Sequence, residues 1–167
     1  MTEPAGVRLL VCGNTDRGDD GAAIWAVARL VGGPATRIPE DVEIRRCGQL
    51  DVEHLLEVPA RTGVIIVDAA VGVPPGTVVT LTLDQLLANP SGPAPQSSHA
   101  LPIDQVVGIA SVLADEPRRG LFVGIGGHSF GFGQSMSPAV RAGLPVYVEA
   151  IAAAVALLAP PATVPGG

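Results

Sequence analysis

The N-terminal part of the chain places an acidic loop between two apolar segments, and this arrangement limits the fold more than any other feature of the sequence. Residues 8–12 (RLLVC) form a short apolar run that ends at Gly13, which predicts a buried strand followed by a turn. Apolar residues return from Ala22, directly after Asp19 and Asp20, which stand where a helix N-cap and first turn are expected. The segment therefore predicts a strand, an acidic loop and a helix around one crevice.

The loop carries three carboxylates, Asp16, Asp19 and Asp20, and only Arg17 offsets their charge. A single carboxylate at a helix start is explained as a cap or as a partner of the helix dipole. Three together would repel a phosphate, and the spacing of the glycines matches neither the G-x-G-x-x-G fingerprint nor a P-loop. We therefore interpret the loop as a cation site and expect no nucleotide cofactor.

Composition argues against several classes of protein. The chain has 167 residues, of which 47% are hydrophobic and 16% charged, a balance typical of one compact globular domain. We expect a single domain over residues 1–167, with 160–167 as a frayed tail. A net charge of −6, with no lysine and no clustered basic face, argues against nucleic acid or an anionic membrane as partner.

The expected compartment and thiol state follow from further features of the sequence. Residues 1–11 lack the basic start and apolar core of a secretory signal, and the acidic chain suits the cytoplasm. Residues 150–159 are apolar but too short for a bilayer span, which needs about 20 residues, so a packed helix is expected there. Cys12 and Cys47 form no C-x-x-C pair, and we expect them to be reduced, buried thiols of an intracellular protein.

Further segments have strand-like or helical patterns. The predicted strands are 42–47 at an edge of the sheet, 63–67 at its centre, 77–83 hairpinned antiparallel to its predecessor, and 120–126 as the last buried strand. Helices are predicted over 51–58 and 103–114, and a final helix begins with Ser137 as N-cap and Pro138 as first residue. Pro145 is expected to kink or split this last helix.

Asp68 directly follows the predicted central strand, at the carboxyl edge where open α/β sheets bind ligands. If the first and central strands are parallel neighbours, Asp68 faces the same crevice as Asp19 and Asp20. A loop over 89–96 then brings the chain to His99, just before the next helix. One imidazole with two carboxylates suits a divalent metal such as nickel or zinc and leaves an open position for substrate or water.

A competing motif is the G-x-S-x-G sequence over residues 127–131, which resembles a hydrolase nucleophile elbow after a strand. No histidine follows Ser129 in the chain, and residues 132–134 separate the motif from the next helix. We therefore expect Ser129 not to be a nucleophile. Of the other histidines, His54 is explained by a solvated helix face, and His128 is open between a structural and a functional role.

Short motifs occur in a defined order from the first strand to the last helix. They are Gly13-Asn14 with Asp19-Asp20-Gly21, Gly48 with Leu55-Leu56, VIIVDAA over 64–70 with PPGTV over 74–78, Ser97-Ser98-His99, Val123-Gly124-Ile125, and Gly133 ahead of Ser137-Pro138. In this order and spacing the chain resembles the hydrogenase maturation proteases, which trim the C-terminal extension from the large subunit of nickel-iron hydrogenases. The chain departs from the family pattern in two places: Gly126-Gly127 stands where Gln-Pro is common, and Ala23 stands where a glycine is common.

The resemblance implies a fold, an activity and a site. The implied fold is an α/β protein, a three-layer α/β/α sandwich with a mixed, mostly parallel sheet of about five strands. Asp20, Asp68 and His99 match the positions that bind metal in the family, and they are the implied catalytic residues. The metal is implied to be nickel carried by the substrate, so the expected partner is a nickel-loaded hydrogenase large-subunit precursor, cut by an endopeptidase after nickel insertion.

The residues leave two other functions open. A non-catalytic adaptor that binds metal-loaded precursor would keep the same three ligands, and so would a small-molecule metallohydrolase on the same scaffold. Within the protease hypothesis, the ligands position the scissile bond, and the metal polarises its carbonyl or an attacking water. Alternatively, one carboxylate acts as general base.

Overall fold

The computed structural model describes residues 6–33, 38–88, 102–114 and 118–159. In chain order its elements are β1 Val7–Cys12, a 3₁₀ turn Gly18–Gly21, α1 Ala22–Gly32, β2 Val42–Gly48, α2 Val52–Leu56, β3 Gly63–Ala70, β4 Val78–Thr82, α3 Leu83–Ala88, α4 Ile103–Leu113, β5 Gly120–Gly126 and α5 Pro138–Leu158. The predicted loop over 89–96, His99 and the predicted tail over 160–167 lie outside the described residues.

The five strands form one mixed, mostly parallel sheet in the order β2-β1-β3-β5-β4. β1 is parallel to β2 and β3, and β3 is parallel to β5, whereas β4 runs antiparallel to β5. Every residue of β1 and β3 is buried, which explains the continuous apolar runs in their sequences. The predicted fold class is confirmed, as is the edge position of β2.

Apolar side chains cover both faces of the sheet and so define three layers. On one face α1 and α5 pack against alternate residues of the strands, including Leu9 and Ile65. On the other face α2, α3 and α4 pack against the intervening residues, including Leu10 and Ile66. Because side chains of a strand alternate between faces, Cys12 and Asp68 project toward the face that α4 covers.

The prediction of a hairpin between β3 and β4 is wrong, although β4 is antiparallel as expected. β5 lies between them, with Asp68 opposite Gly124 and Val79 opposite Gly124 on the other side. The burial of the strands explains the order. β5 is buried at all but its first residue, whereas β4 is exposed in part along its whole length and therefore suits an edge.

The helix α3 is not among the predicted elements, because the strand predicted over 77–83 ends at Thr82 and the helix begins at Leu83. A capping box begins this helix: Thr82 Oγ1 accepts a hydrogen bond from the Gln85 backbone N–H at 3.0 Å, and Gln85 Oε1 accepts one from the Thr82 N–H at 2.9 Å. The spacing Thr-x-x-Gln is a known signal for a helix start. It marks the end of β4.

The last helix, α5, is continuous through Pro145 over 21 residues, so the prediction that Pro145 splits the helix is wrong, whereas a kink stays a prediction. A proline removes one backbone hydrogen bond, and burial of flanking residues such as Leu144 and Tyr147 against the sheet holds the helix together. α5 is long and apolar enough to cross a membrane by length and composition, which residues 150–159 alone are not. Its buried residues place it in the core, as expected for a packed helix.

Candidate active site

The acidic loop folds back on the end of β1 and brings Asp20 to the carboxyl edge of the sheet. Gly13 has φ of 121°, and a Cβ at this position would clash with the backbone oxygen of Asp20. The Gly13 N–H donates to the Gly48 carbonyl at 2.7 Å, and the Asn14 N–H donates to the Asp20 carbonyl at 3.3 Å. Only glycine fits this turn without strain, which explains the Gly-Asn motif.

Asp68 lies inside β3, two residues before its end, rather than directly after it. The register pairs Val11 with Val67, so the next residues along the two strands, Cys12 and Asp68, lie side by side. The Asp68 side chain is almost fully buried, with 7% of its surface exposed. β1 and β3 are parallel neighbours, which is the condition for Asp68 to face the same crevice as the acidic loop.

The two carboxylates of Asp20 and Asp68 interact electrostatically. Burial and the nearby charge of Asp20 raise the pKa of Asp68 well above its ordinary value, although the Ala69 N–H opposes this shift. Burial also raises the pKa of Asp20, against the opposing effects of the Asn14 N–H and the Arg17 charge. A cation bound between the two carboxylates would relieve both effects, so the pair fits a divalent metal.

The third carboxylate of interest, Asp19, has a different environment. Its side chain is fully buried and accepts hydrogen bonds from three backbone N–H groups and one hydroxyl. Burial raises the pKa of Asp19, but these hydrogen bonds outweigh burial and leave it below the ordinary value. Asp19 is therefore occupied by protein donors, and Asp16 is exposed. Of the three loop carboxylates, Asp20 is the one whose charge raises the pKa of Asp68.

Neither aspartate of the Asp19-Asp20 pair is the N-cap of α1. Both lie in the 3₁₀ turn that precedes α1, and Gly21 occupies the N-cap position. The sequence predicted correctly that the pair stands at the start of the helix, but it could not indicate the hydrogen-bond partners of Asp19. Those partners are more than a hundred residues away in the chain.

His99, the third predicted ligand, lies outside the described residues. α4, which begins at Ile103 as predicted, packs on the face of the sheet toward which Asp68 projects. Within the described parts of the chain, no three side chains of histidine, cysteine, aspartate or glutamate come together as a metal site. The assignment of Asp20, Asp68 and His99 as a ligand set therefore stays a prediction.

Cys12 and Cys47 are neighbours on adjacent strands rather than isolated thiols. Both are free, and Cys12 is buried whereas Cys47 is half-buried. Interaction between the two thiols is the main cause that raises the pKa of Cys12 and lowers that of Cys47. The Cys47 Sγ donates to the Arg45 carbonyl oxygen at 3.8 Å. The pairing of the two thiols is not predicted from the sequence. Cys12 and Cys47 both lie at the ends of their strands, β1 and β2, so a parallel pairing of these strands would have indicated that the two thiols are close.

The G-x-S-x-G motif has a structural role. Ser129 donates its hydroxyl to Gln134 Oε1 and its backbone N–H to Asp19. α5 begins only at Pro138, so Ser129 does not stand on a sharp turn from strand to helix. His54 also differs from its predicted role, because its Nδ1 accepts from the Asp51 N–H at 3.0 Å in a capping box.

Comparison with known proteins identifies the family. The sequence model described as hydrogenase maturation protease matches residues 35–154, more than half of the chain. The chain belongs to the hydrogenase maturation protease family. Family membership confirms the predicted peptidase class. The matched span contains Asp68 and His99 but begins after Asp20, and a search of curated proteins gave no match.

Solved structures show a likeness over most of the chain. The hydrogenase maturating endopeptidase HybD from E. coli is 25% identical over 91% of this chain and 93% of its own, with a TM-score of 0.73. An endopeptidase from Escherichia coli is 26% identical over 89% of this chain and 92% of its own, with a TM-score of 0.69. HycI from Thermococcus kodakarensis, 22% identical over 91% of this chain and 93% of its own, shares the fold with a TM-score of 0.62.

Proposed function

We propose that this hydrogenase maturation protease removes the C-terminal extension of a nickel-iron hydrogenase large-subunit precursor after nickel insertion. The observation that carries the proposal is the pairing of Asp20 with Asp68 at the carboxyl edge of the sheet. Burial raises the pKa of both carboxyl groups, and the charge of Asp20 raises that of the buried Asp68 further. A cation supplied by the partner would offset the cost of holding these two carboxylates in one crevice.

The proposed role of Asp20, Asp68 and His99 is to bind the nickel that the precursor carries. Two carboxylates and one imidazole leave coordination positions for the precursor's own ligands. The nickel, as part of the substrate, would orient the scissile bond and supply Lewis acidity near its carbonyl. The protease would thereby distinguish loaded from empty precursor.

The chain's own residues contribute position and proton transfer. Asp68 is fixed by burial within β3, whereas Asp20 lies in a loop that is half-buried and nearer to solvent. The alternative to metal binding by both carboxylates is that one of them acts as general base toward an attacking water. We assign this alternative role to Asp20, whose pKa is raised by burial, because Asp68 lacks comparable access. A cytoplasmic location stays a prediction from composition.

Substitution of the three proposed ligands tests this function. Asp20→Asn, Asp68→Asn and His99→Ala are each expected to lower cleavage of nickel-loaded precursor at least about a hundredfold while the far-UV circular dichroism is retained. Asp84→Asn is the matched control, because it removes one exposed carboxylate from the first turn of α3. Cleavage by all three ligand variants at the rate of the control would refute the site.

The test also separates the protease from an adaptor. Loss of the C-terminal extension in the presence of wild-type protein, read as precursor mass, supports the protease. Stable binding of loaded precursor to the wild type, without any change of mass, would instead establish a non-catalytic adaptor.

A further inference from the structure

The Asp19 carboxylate joins the acidic loop to the segment of residues 127–137 that follows β5. Its Oδ2 accepts from the consecutive N–H groups of His128 and Ser129, both at 2.8 Å. Ser137 donates its N–H to Oδ1 at 2.7 Å and its hydroxyl to Oδ2 at 2.9 Å. Successive N–H groups around one anion form a nest, and here the anion is a side chain of the protein itself.

Backbone contacts run alongside this carboxylate. The Asp19 N–H donates to the Ser129 carbonyl at 2.7 Å, and the Gly133 N–H donates to the Asp16 carbonyl at 2.7 Å. Gly18 has φ of 57°, and a Cβ there would lie 2.5 Å from the Ser129 carbonyl oxygen. The two segments therefore meet along a continuous line of contacts, with Asp19 at its buried centre.

The line of contacts ends at the proposed site. Asp20 follows Asp19 directly within the same 3₁₀ turn. The segment 127–137 leaves β5, and β5 is paired with β3 so that Gly124 lies opposite Asp68. The Asp19 carboxylate thus connects the turn that carries Asp20 to the segment that follows β5, and β5 is the strand next to Asp68.

The hydroxyl of Ser137 bonds to Asp19 rather than to the helix that Ser137 begins. Ser137 is the N-cap residue of α5, but its side chain makes no hydrogen bond to the helix. The hydroxyl binds Asp19 instead. A serine at this position would normally stabilise the helix by accepting from an N–H of the first turn. The first turn of α5 is therefore tied to the acidic loop.

We propose that Asp19 is a positioning residue for the active site: by holding the segment 127–137 against the acidic loop, its carboxylate sets Asp20 at the distance from Asp68 that cleavage requires. This inference rests on the proposed function, because that function assigns the chemistry to Asp20 and Asp68. The Asp19 carboxylate is occupied by four hydrogen bonds from the protein itself. This inference also accounts for the G-x-S-x-G motif, because backbone N–H groups of the motif donate to the Asp19 carboxylate. Ser129 then does not act as a nucleophile.

The first experiment compares steady-state cleavage of nickel-loaded precursor by wild type and by Asp19→Asn, at a temperature at which circular dichroism shows both fully folded. An amide keeps the size of the carboxylate but cannot accept all four hydrogen bonds. Displacement of Asp20 is expected to lower kcat about tenfold to a hundredfold, with KM changed less than threefold. A wild-type kcat in folded Asp19→Asn protein would overturn the inference.

A milder pair of variants covers the case in which Asp19→Asn does not fold. Ser137→Ala removes one of the four hydrogen bonds, whereas Ser137→Thr keeps the hydroxyl. We expect kcat to fall about threefold to tenfold in Ser137→Ala and to return to within twofold of wild type in Ser137→Thr. Equal kcat values in folded Ser137→Ala and wild type, with only thermal stability lowered, would mean that the link serves the fold alone.

Asp20→Asn and Asp68→Asn, assayed in the same series, separate this inference from the proposed function. If both lose cleavage while Asp19→Asn keeps a wild-type kcat, the proposed function stands and the inference on Asp19 fails. If both cleave at the wild-type rate, the proposed function fails, and the positioning role fails with it.

Discussion

The hydroxyl of Tyr147 lies 3.1 Å from the backbone carbonyl oxygen of Asp68 and the same distance from that of Val123. Tyr147 belongs to α5, which packs on the face of the sheet opposite to the one toward which the Asp68 side chain projects. The helix therefore supports the backbone of a site residue from behind the sheet. The Tyr147 side chain is fully buried, so its hydroxyl is shielded from water.

Tyr147→Phe tests this support. Removal of the hydroxyl leaves two buried carbonyl oxygens without that donor and is expected to lower the free energy of unfolding by about 1–2 kcal/mol. In a domain of this size such a loss lowers Tm by roughly 2–8 °C. Urea unfolding followed by circular dichroism measures the change. An unfolding free energy within 0.3 kcal/mol of wild type, on the order of the additivity error, would show that the contact contributes nothing.

Asp68→Asn is predicted to stabilise the metal-free protein at neutral pH while it abolishes cleavage. The folded protein disfavours the charged form of Asp68 because of burial and the charge of Asp20. The raised pKa means that the contribution of Asp68 to stability is present below the pKa of the unfolded chain and is lost as pH rises through the folded value. The advantage of the variant should therefore grow with pH.

Thermal unfolding of both proteins in the presence of a chelator, at pH 4.5 and at pH 7.5, measures this advantage. We expect a higher Tm for Asp68→Asn at pH 7.5, by roughly 2–4 °C, a shift that corresponds to about 1 kcal/mol in a domain of this length. The difference should be smaller at pH 4.5. A variant that is less stable than wild type at pH 7.5 would contradict the proposed burial of charge.

Ser129→Ala is predicted to keep cleavage activity within about threefold of wild type. The hydroxyl of Ser129 bonds only to Gln134 in the described structure, and alanine retains the N–H that binds Asp19. Precursor cleavage and labelling with a serine-reactive fluorophosphonate are the measurements. A folded Ser129→Ala protein without activity, together with covalent labelling of wild type, would establish the hydrolase-type nucleophile that the motif suggests.

The paired cysteines are predicted to differ in reactivity toward a thiol reagent. Cys47 is half-buried and its pKa is lowered by interaction with Cys12, whereas Cys12 is buried and its pKa is raised. Because the thiolate is the reactive form, Cys47 should react first with Ellman's reagent. We expect one fast thiol in the folded protein and two in denaturant. Persistence of the fast phase in Cys47→Ser would disprove this order.

The sequence was sufficient to predict the elements whose signals are local. The apolar run of β1, the turn at Gly13 and the pattern after Ala22 specify a strand, a loop and a helix without reference to the rest of the chain. The edge position of β2 and the central position of β3 follow equally from their alternating and continuous apolar patterns. Asp20 and Asp68 meet because parallel strands share their carboxyl edge.

Features that depend on distant contacts were missed or misjudged. The insertion of β5 between β3 and β4 involves residues more than thirty positions apart in the chain, whereas β3 and β4 follow one another in sequence, which suggested a hairpin. Asp19 looked like a cap because its donors lie more than a hundred residues later. Pro145 suggested a break in the helix because the local sequence does not show how α5 packs against the sheet.

The most direct measurement of the central claim is the mass of a hydrogenase large-subunit precursor after incubation with this protein, in nickel-loaded and in nickel-free form. We predict loss of the C-terminal extension from the loaded precursor alone, and no loss with Asp68→Asn. Equal cleavage of both precursors would contradict recognition of nickel, and an unchanged mass of the loaded precursor would contradict the endopeptidase itself.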